Sequence, residues 1–304
     1  MRVDVHAHHL APEYLACLER IAGPRQRGRA AAAPMSLDER ADMLEDCGVD
    51  LQVLSHGATM PYFDDEQAAL EAARLGNDSN AEVARGFGGR FAHFGALPLP
   101  HVDASLAEAE RCLDKLGALG ISIGTQIGDV PLDNPAFEPL WAWLDQRQTV
   151  VLLHPQWRAA EPHLRDYDLA GMVGACFEDT LAALRILLSG LAERHPNVRI
   201  IVPHLGGTLP LVYPRIVRRG KAHLLRRLWY DTANGYGPAL ACACQTLGAE
   251  RMMLGTDFPY LTPLKEHVQY VQQAGLSPED ADTILNRTAA QLLGVIDSTK
   301  ESKQ

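Results

Sequence analysis

The sequence predicts a single (β/α)8 barrel of the TIM type, and three observations point to this α/β fold. Eight short apolar runs recur along the chain, and several are rich in β-branched residues, as is typical of parallel strands buried on both faces. Segments with helix signals separate most of the runs. No glycine-rich phosphate-binding fingerprint follows a strand, which disfavours the alternative of a doubly wound open sheet. The runs are 3–9, 49–56, 91–99, 121–127, 149–155, 198–207, 228–234 and 251–260.

The segments between the runs have recognisable helix boundaries. Residues 36–39 read Ser-Leu-Asp-Glu, a capping box for a helix that is expected to end at Cys47-Gly48. Asn134 and the proline after it supply a cap and a first-turn proline for a later helix. The stretch 175–194 predicts one long helix, and 277–293 predicts a last helix that is additional to the barrel.

A single domain is expected over residues 1–294, followed by a polar tail at 295–304. A chain of 304 residues buries enough surface to fold without a structural metal, so a metal site is free to be catalytic. Residues 10–35 form an insertion after strand one, and 156–174 follow strand five. Both lie on the side of the barrel where active sites occur, so they are candidate lids, with a surface loop as the alternative for 22–34.

Composition narrows the classes of partner and the compartment. The chain has 28 basic and 38 acidic residues, a formal charge of −10, which disfavours nucleic acid and anionic membranes as partners. Its six cysteines form no CxxC pair, and we expect Cys242 and Cys244 to be buried free thiols. The N-terminus has no secretory pattern, and no apolar stretch reaches the roughly 18 residues of a membrane span. We therefore expect a cytoplasmic protein.

Histidines end the first predicted strand. His6 and His8 are two residues apart, and strict alternation would place them on the same face as Asp4, with both imidazoles directed into the barrel mouth. Two neutral imidazoles in this arrangement suit zinc or another divalent transition metal. A histidine pair alone is a weak signal, because such pairs also occur in solvated loops.

Ionisable residues also end three later strands. His154 ends strand five, His204 ends strand six and Asp257 ends strand eight. Burying such groups unpaired would cost on the order of several kcal/mol, so their convergence at one mouth predicts a metal site. The alternative is a set of separate core histidines and a helix-capping aspartate. Asp231, which ends strand seven, could orient a neighbour, but we favour a helix cap.

The motifs HAHH, LLHP, PHLGGTLP and LGTDFP occur in that order on those strands and resemble the amidohydrolase superfamily. Within it, the chain is similar over nearly its whole length to the amidohydrolase-2 branch that includes aminocarboxymuconate-semialdehyde decarboxylase. The resemblance implies that His6, His8, His154 and Asp257 bind one divalent metal, zinc in the first place with manganese as the alternative. It also implies that His204 stays unligated and acts as an acid or base.

The substrate-binding features of this branch are less well matched. In the decarboxylase, an arginine crosses a dimer to hold a substrate carboxylate, and the corresponding position falls near His223 in the basic segment Arg215–Arg227. A second basic residue of that enzyme is matched most closely by Arg29. The resemblance therefore implies a carboxylic acid substrate and a homodimer. Trp157 is expected to stack on the substrate or to anchor a loop. His56 is expected to line the pocket, with a packed or solvated histidine as the alternative.

Three functions follow from these expectations. The first is a lyase that decarboxylates a small aromatic or unsaturated carboxylic acid, with the metal activating substrate or water and with His204 and Asp257 moving protons. The second is a hydrolase or cyclising enzyme that acts on a lactone, an amide or a related carbonyl compound. The third is a non-catalytic metal-binding protein, in which His204 would have no purpose.

Overall fold

Eight parallel strands form a barrel in the computed structural model, which describes residues 1–23, 35–156, 162–261 and 263–295. Each strand pairs with the next one in chain order. The barrel is closed between its first and last strands by the bridge of Ala7 to Phe258 and the bond from the Val5 amide to the Leu254 carbonyl. The predicted (β/α)8 barrel is confirmed. The strands are β1 (Val3–His8), β2 (Leu51–Ser55), β3 (Phe91–Ala96), β4 (Gly120–Gly124), β5 (Val150–His154), β6 (Arg199–Val202), β7 (Trp229–Asp231) and β8 (Met252–Met253).

Helices surround the barrel and bury their apolar faces against the outer side of the strands. A short antiparallel pair, Gln126–Ile127 with Val130–Pro131, follows β4. None of the described helices is long and apolar enough to cross a bilayer. The helices are α1 (Pro12–Ala22), α2 (Leu37–Asp46), α3 (Glu66–Gly86), α4 (Val102–Arg111), α5 (Glu138–Gln146), α6 (Ala175–Leu188), α7 (Leu191–Arg194), α8 (Leu209–Val217), α9 (Gly237–Leu247), α10 (Leu264–Gln273), α11 (Pro278–Asn286) and α12 (Thr288–Leu293).

The predicted helix starts agree with the structure, whereas two predicted long helices are interrupted in it. Ser36 forms the predicted capping box at the start of α2, and Asn134 caps the turn that leads into α5. The long helix expected over 175–194 is wrong, because Gly190 adopts a left-handed conformation that separates α6 from α7. The helix expected over 277–293 is likewise divided at Arg287 into α11 and α12.

The last helix closes one end of the barrel. Ala289 and Leu292 of α12 pack with inward-facing strand residues such as Val53 and Phe94. This apolar plug fills the end where the strands begin. The polar side chains described below lie at the opposite end, where the strands finish.

A β-bulge in β1 corrects the expected alternation of its side chains. Asp4 pairs with Gln52 and Ala7 pairs with Leu54, so β1 contains one extra residue between these two positions. Asp4 therefore lies with Gln52 on the side that faces α2, where Gln52 donates to Asp4 over 2.6 Å and accepts from Arg40 over 2.7 Å. The prediction that Asp4 shares a face with the two histidines is wrong.

The two candidate lids are only partly described. The first contains α1, whose Tyr14 and Leu18 are buried against Ala72, so this part is a packed helix. The second contains a 3-10 turn at Pro162–Leu164 and a π-helix at Ala170–Gly174 that leads directly into α6. Residues 24–34 and 157–161 lie outside the described residues, so closure by either segment stays a prediction.

The cysteines are free thiols, but their burial differs from the prediction at one position. Cys244 is buried in α9, as expected. Cys242 is exposed, because two residues along a helix correspond to about 200° of rotation and place the two thiols on nearly opposite faces.

Candidate metal centre and active site

Four side chains converge at the C-terminal mouth of the barrel. His6, His8, His154 and Asp257 each offer one ligand atom, and these atoms all lie within 4.8 Å of one another. Asp257 Oδ1 lies 2.7 Å from His8 Nε2, 3.3 Å from His6 Nε2 and 3.8 Å from His154 Nε2. All four residues are buried. The predicted set of ligands is thus brought together as a divalent metal site.

Each imidazole of the cluster is held through its outer nitrogen. His6 Nδ1 lies 2.7 Å from Asp231, and His154 Nδ1 lies 2.8 Å from the carbonyl of Pro155. His8 Nδ1 lies 3.0 Å from the Ser55 hydroxyl, which accepts its proton because it donates its own to Ala7. These acceptors hold the proton on Nδ1 and leave the Nε2 lone pairs directed into the cluster, which is how metal-binding histidines are usually supported.

The unpaired atoms of the cluster fit a divalent cation. Nε2 of His6 and Nε2 of His154 are buried without a hydrogen-bond partner among the described residues, which is costly unless another group occupies the space. Three imidazoles and one carboxylate are ligands that zinc and related divalent metals accept. The residues present therefore fit one such ion.

The protonation states of the cluster residues also favour a bound cation. Burial lowers the pKa of His8 to about 3, so this imidazole is neutral and ready to bind. Burial opposes protonation of His6 as well, but Asp231 and Asp257 raise its pKa to about 9. Burial would raise the pKa of Asp257, yet His6 and the other imidazoles hold it well below its usual value. In the metal-free protein, a proton on His6 therefore supplies the positive charge that a metal would provide.

His204 lies beside the cluster in the turn after β6, with its Nε2 3.6 Å from Asp257 Oδ2. Its Nδ1 lies 2.8 Å from Asp179 of α6. Burial would lower the pKa of His204, but Asp179 and Asp257 raise it well above its ordinary value. Both His204 and Asp257 have φ of 54°, a left-handed conformation that costs about 1 kcal/mol or more in residues other than glycine. Strain of this kind is concentrated at functional sites.

Asp231 is an orienting residue, which corrects the preferred expectation of a helix cap. One of its oxygens accepts from His6, and the other accepts from the backbone amides of His204 and Ala233. The next helix, α9, begins six residues later at Gly237, with Tyr236 as its cap. Asp231 thus links a residue of the metal cluster to the turn that carries His204.

A cavity of about 400 Å³ opens above the cluster, and both His204 and Asp257 line it. Its walls include Met172 from the π-helix before α6 and Tyr260 from the segment after β8. None of the described residues that line it is a lysine or arginine. A larger cavity of about 620 Å³ lies beside α6, but no residue of the cluster lines it. The smaller cavity is therefore the candidate substrate pocket.

The residues expected to contact substrate have different positions. His56 is buried and packs against Tyr14 with ring centroids 4.8 Å apart, and it does not line the cavity. His56 is therefore a packed histidine, and the expectation that it contacts the substrate is corrected. Burial lowers the pKa of His56 to about 3. His223 is exposed in the turn Ala222–Arg227, away from the cavity lining. Arg29 and Trp157 lie outside the described residues.

Sequence reasoning missed Asp179 and Ser55, which support His204 and His8. One signal could have identified Asp179. It is a fully buried aspartate on an otherwise apolar face of α6, in line with Cys176 and Ala183 at helical spacing. A carboxylate in such a position requires a buried partner.

Comparisons with known proteins agree with this geometry. Residues 3–295 match the amidohydrolase family. A gamma-resorcylate decarboxylase of a Rhizobium species is 31% identical over 73% of this chain and 76% of its own length. A 2-amino-3-carboxymuconate-6-semialdehyde decarboxylase of Dictyostelium discoideum is 29% identical over 85% of this chain and 76% of its own length.

A solved structure shows the same fold. It is a dihydroxybenzoic acid decarboxylase of a Polaromonas species with bound manganese and the inhibitor 2-nitroresorcinol, and it is 24% identical to this chain. The match has a TM-score of 0.83 and covers 98% of each chain. The family match and the gamma-resorcylate decarboxylase relative show that the chain belongs to the amidohydrolase family, as the sequence motifs indicated.

Proposed function

We propose that this protein is a metal-dependent carboxy-lyase that removes CO2 from a small aromatic carboxylic acid. One observation carries the proposal: His204 Nε2 and Asp257 Oδ2 lie 3.6 Å apart and face the same cavity beside the metal cluster. A buried acid next to a cation site suits protonation of an electron-rich ring. The two sequence relatives described above both have decarboxylase activity in their names, which supports this reaction class.

The chain's own residues account for the proton transfer. His204, kept protonated by Asp179 and Asp257, is placed to give its Nε2 proton to the ring carbon that bears the carboxylate. The bond from that carbon to the carboxylate then breaks, its electron pair restores the aromatic ring and CO2 leaves. Asp257 Oδ2, 3.6 Å from Nε2, is placed to stabilise the protonated nitrogen electrostatically. A divalent metal at the cluster supplies Lewis acidity that polarises a substrate oxygen.

We propose zinc as the metal, because three histidines and one carboxylate are ligands that zinc commonly takes. The bound manganese of the dihydroxybenzoic acid decarboxylase supports manganese as the alternative. Reconstituting metal-free protein with each ion separately and comparing turnover distinguishes the two. Manganese restoring more activity than zinc would contradict the zinc assignment.

We also propose that the protein is a homodimer in which the segment Arg215–Arg227 lies at the contact. The described lining of the cavity has no lysine or arginine, so a side chain of that kind to hold the substrate carboxylate would have to come from another chain or from residues such as Arg29. In this segment Arg218 and Arg219 are exposed and directly follow Val217, the last residue of α8. Leu211, which also lies on α8, is 77% exposed. Light scattering that shows an active monomer at assay concentration would contradict the dimer.

We also propose a reducing cytoplasm as the compartment, which the free thiols described above support.

Incubation of metal-loaded protein with gamma-resorcylate and other hydroxylated benzoates tests the reaction. We expect CO2 release and, in D2O, one deuterium on the ring carbon that carried the carboxylate. The His204→Ala variant, loaded with the same amount of metal, is the control and should release little CO2. Hydrolysis of lactones or amides without CO2 release from any of these acids would favour the hydrolase alternative and overturn the proposal.

A further inference from the structure

The support of His204 by α6 extends beyond a single hydrogen bond. Thr180, which follows Asp179 in α6, accepts from the Thr208 amide over 2.7 Å, so the helix holds both ends of the turn that carries His204. The backbone of that turn is pressed against the helix, since a Cβ on Gly207 would clash with the Cys176 carbonyl oxygen. The first turns of α6 thus form a fixed platform under His204.

Asp179 is the charged group of this platform. Its carboxylate is fully buried, and its Oδ2 lies 2.8 Å from His204 Nδ1. Its Oδ1 has no hydrogen-bond partner among the described residues. A buried carboxylate with a single partner is costly, so its interaction with His204 must offset most of the loss of hydration.

We propose that Asp179 is a positioning residue, which fixes the proton of His204 on Nδ1 so that Nε2 faces Asp257 and the substrate cavity. A carboxylate can only accept a hydrogen bond, so the Nδ1 nitrogen must be the donor. The proton that the ring exchanges is then the one on Nε2, 3.6 Å from Asp257 Oδ2. The kinetic part of this inference rests on the proposed carboxy-lyase activity, whereas the position of the proton does not.

The variant Asp179→Asn keeps the shape of the side chain and removes its charge. The new carboxamide can donate to Nδ1, which moves the proton of the neutral ring to Nε2. Thr180→Val is the matched control, because it disrupts the docking of the same turn but leaves the carboxylate in place. Metal content and thermal unfolding of each variant establish that it is folded and loaded.

Nitrogen-15 NMR of histidine-labelled, zinc-loaded protein tests the position of the proton, with the His204 signals assigned by their loss in His204→Ala. We expect a protonated Nδ1 in the unsubstituted protein and in Thr180→Val, and an unprotonated Nδ1 in Asp179→Asn. An unprotonated Nδ1 in the unsubstituted protein would overturn the inference even if no variant folds.

Kinetics on an accepted substrate test the consequence. We expect Asp179→Asn to lower kcat on the order of 10²-fold with KM changed less than about threefold, because the substituted ring presents its proton incorrectly. Thr180→Val should lower kcat clearly less than Asp179→Asn does, because it removes a hydrogen bond of the turn but keeps the carboxylate beside Nδ1. An equal loss of kcat in both variants would show that kcat depends on the docking of the turn and not on the carboxylate, and it would overturn the inference. If no substrate is found, the proposed function fails while the NMR result still decides the role of Asp179.

Discussion

The metal cluster and the wall of the cavity above it are built in different ways. The four ligands of the cluster are buried in β1, at the end of β5 or in the segment after β8, and each of the three imidazoles has an acceptor for its Nδ1 proton. The wall includes the segment before α6, where Tyr167 is 87% exposed and both Tyr167 and Asp168 are left-handed. We therefore expect the barrel to fix the metal site and the less tightly packed segments of the wall to decide substrate choice.

The largest effect is expected from loss of a metal ligand. His8→Ala should lose the metal and lower activity by more than about 10³-fold, because the metal supplies several kcal/mol of charge stabilisation. The neighbouring His9 belongs to the same HAHH motif but not to the cluster, so His9→Ala is the control and should retain metal. Elemental analysis and turnover measure both. Equal metal loss in the two variants would mean that the motif holds the metal in another way.

The next largest effect is expected from His204. His204→Ala should keep the metal and lose about 10²–10⁴-fold in activity, as for a group that transfers protons. The structure places this residue beside the cluster without needing it as a ligand. Should the variant lose its metal, His204 is a ligand and the division between metal binding and proton transfer is incorrect.

Asp231→Asn should have a smaller effect on the metal itself. The change weakens the support of His6, and loss of such outer partners typically lowers metal affinity by about 10–100-fold. Competition with a chelator of known affinity measures the change. An affinity within twofold of the unsubstituted value would show that the hydrogen bond to His6 does not tune the site.

Metal binding should also depend on pH in a defined direction. Because the pKa of His6 is raised to about 9 in the metal-free protein, binding at neutral pH must displace its proton. Affinity should then fall about tenfold for each unit by which the pH decreases below 9, with about one proton released per metal. Calorimetry at pH 7 in buffers of different ionisation enthalpy counts the protons. Asp231→Asn removes one carboxylate that raises this pKa and should reduce the number released, and equal release would contradict the assignment to His6.

The smallest effect is expected in the wall. Met172 lines the cavity and is 67% exposed, so Met172→Ala should raise KM less than about tenfold, with metal content and kcat nearly unchanged. A shift in preference within a panel of substituted benzoates would show that the wall, and not the metal cluster, decides which substrate is accepted. A loss of kcat as large as that of His204→Ala would mean that the wall takes part in the chemistry.

The strand positions and the ionisable residues at strand ends were predictable because both depend on local signals, whereas the separation of four metal ligands from His204 came from the family resemblance. A buried parallel strand needs an apolar run, and an ionisable residue at its end, such as His154, has few structural explanations. The bulge in β1 was not predictable, because it depends on how Asp4 pairs with Gln52 forty-eight residues away. The break at Gly190 was missed because an isolated glycine is tolerated within a helix.

The partners of the site residues were harder to predict than the residues themselves. Asp231 was expected to cap a helix, since a strand-ending aspartate has the same local appearance in either role. Its pairing with His6 joins positions 225 residues apart in the chain. Such contacts depend on closure of the whole barrel, which no short motif records.

The most direct test of the central claim is a crystal structure of metal-loaded protein with anomalous data collected at the absorption edge of the metal. We expect one anomalous peak per chain, bonded to Nε2 of His6, His8 and His154 and to a carboxylate oxygen of Asp257, at about 2.0–2.2 Å if the metal is zinc. His204 should lie outside bonding distance and remain paired with Asp179. A peak elsewhere in the chain, or one bonded to His204 in place of one of the four ligands, would contradict it.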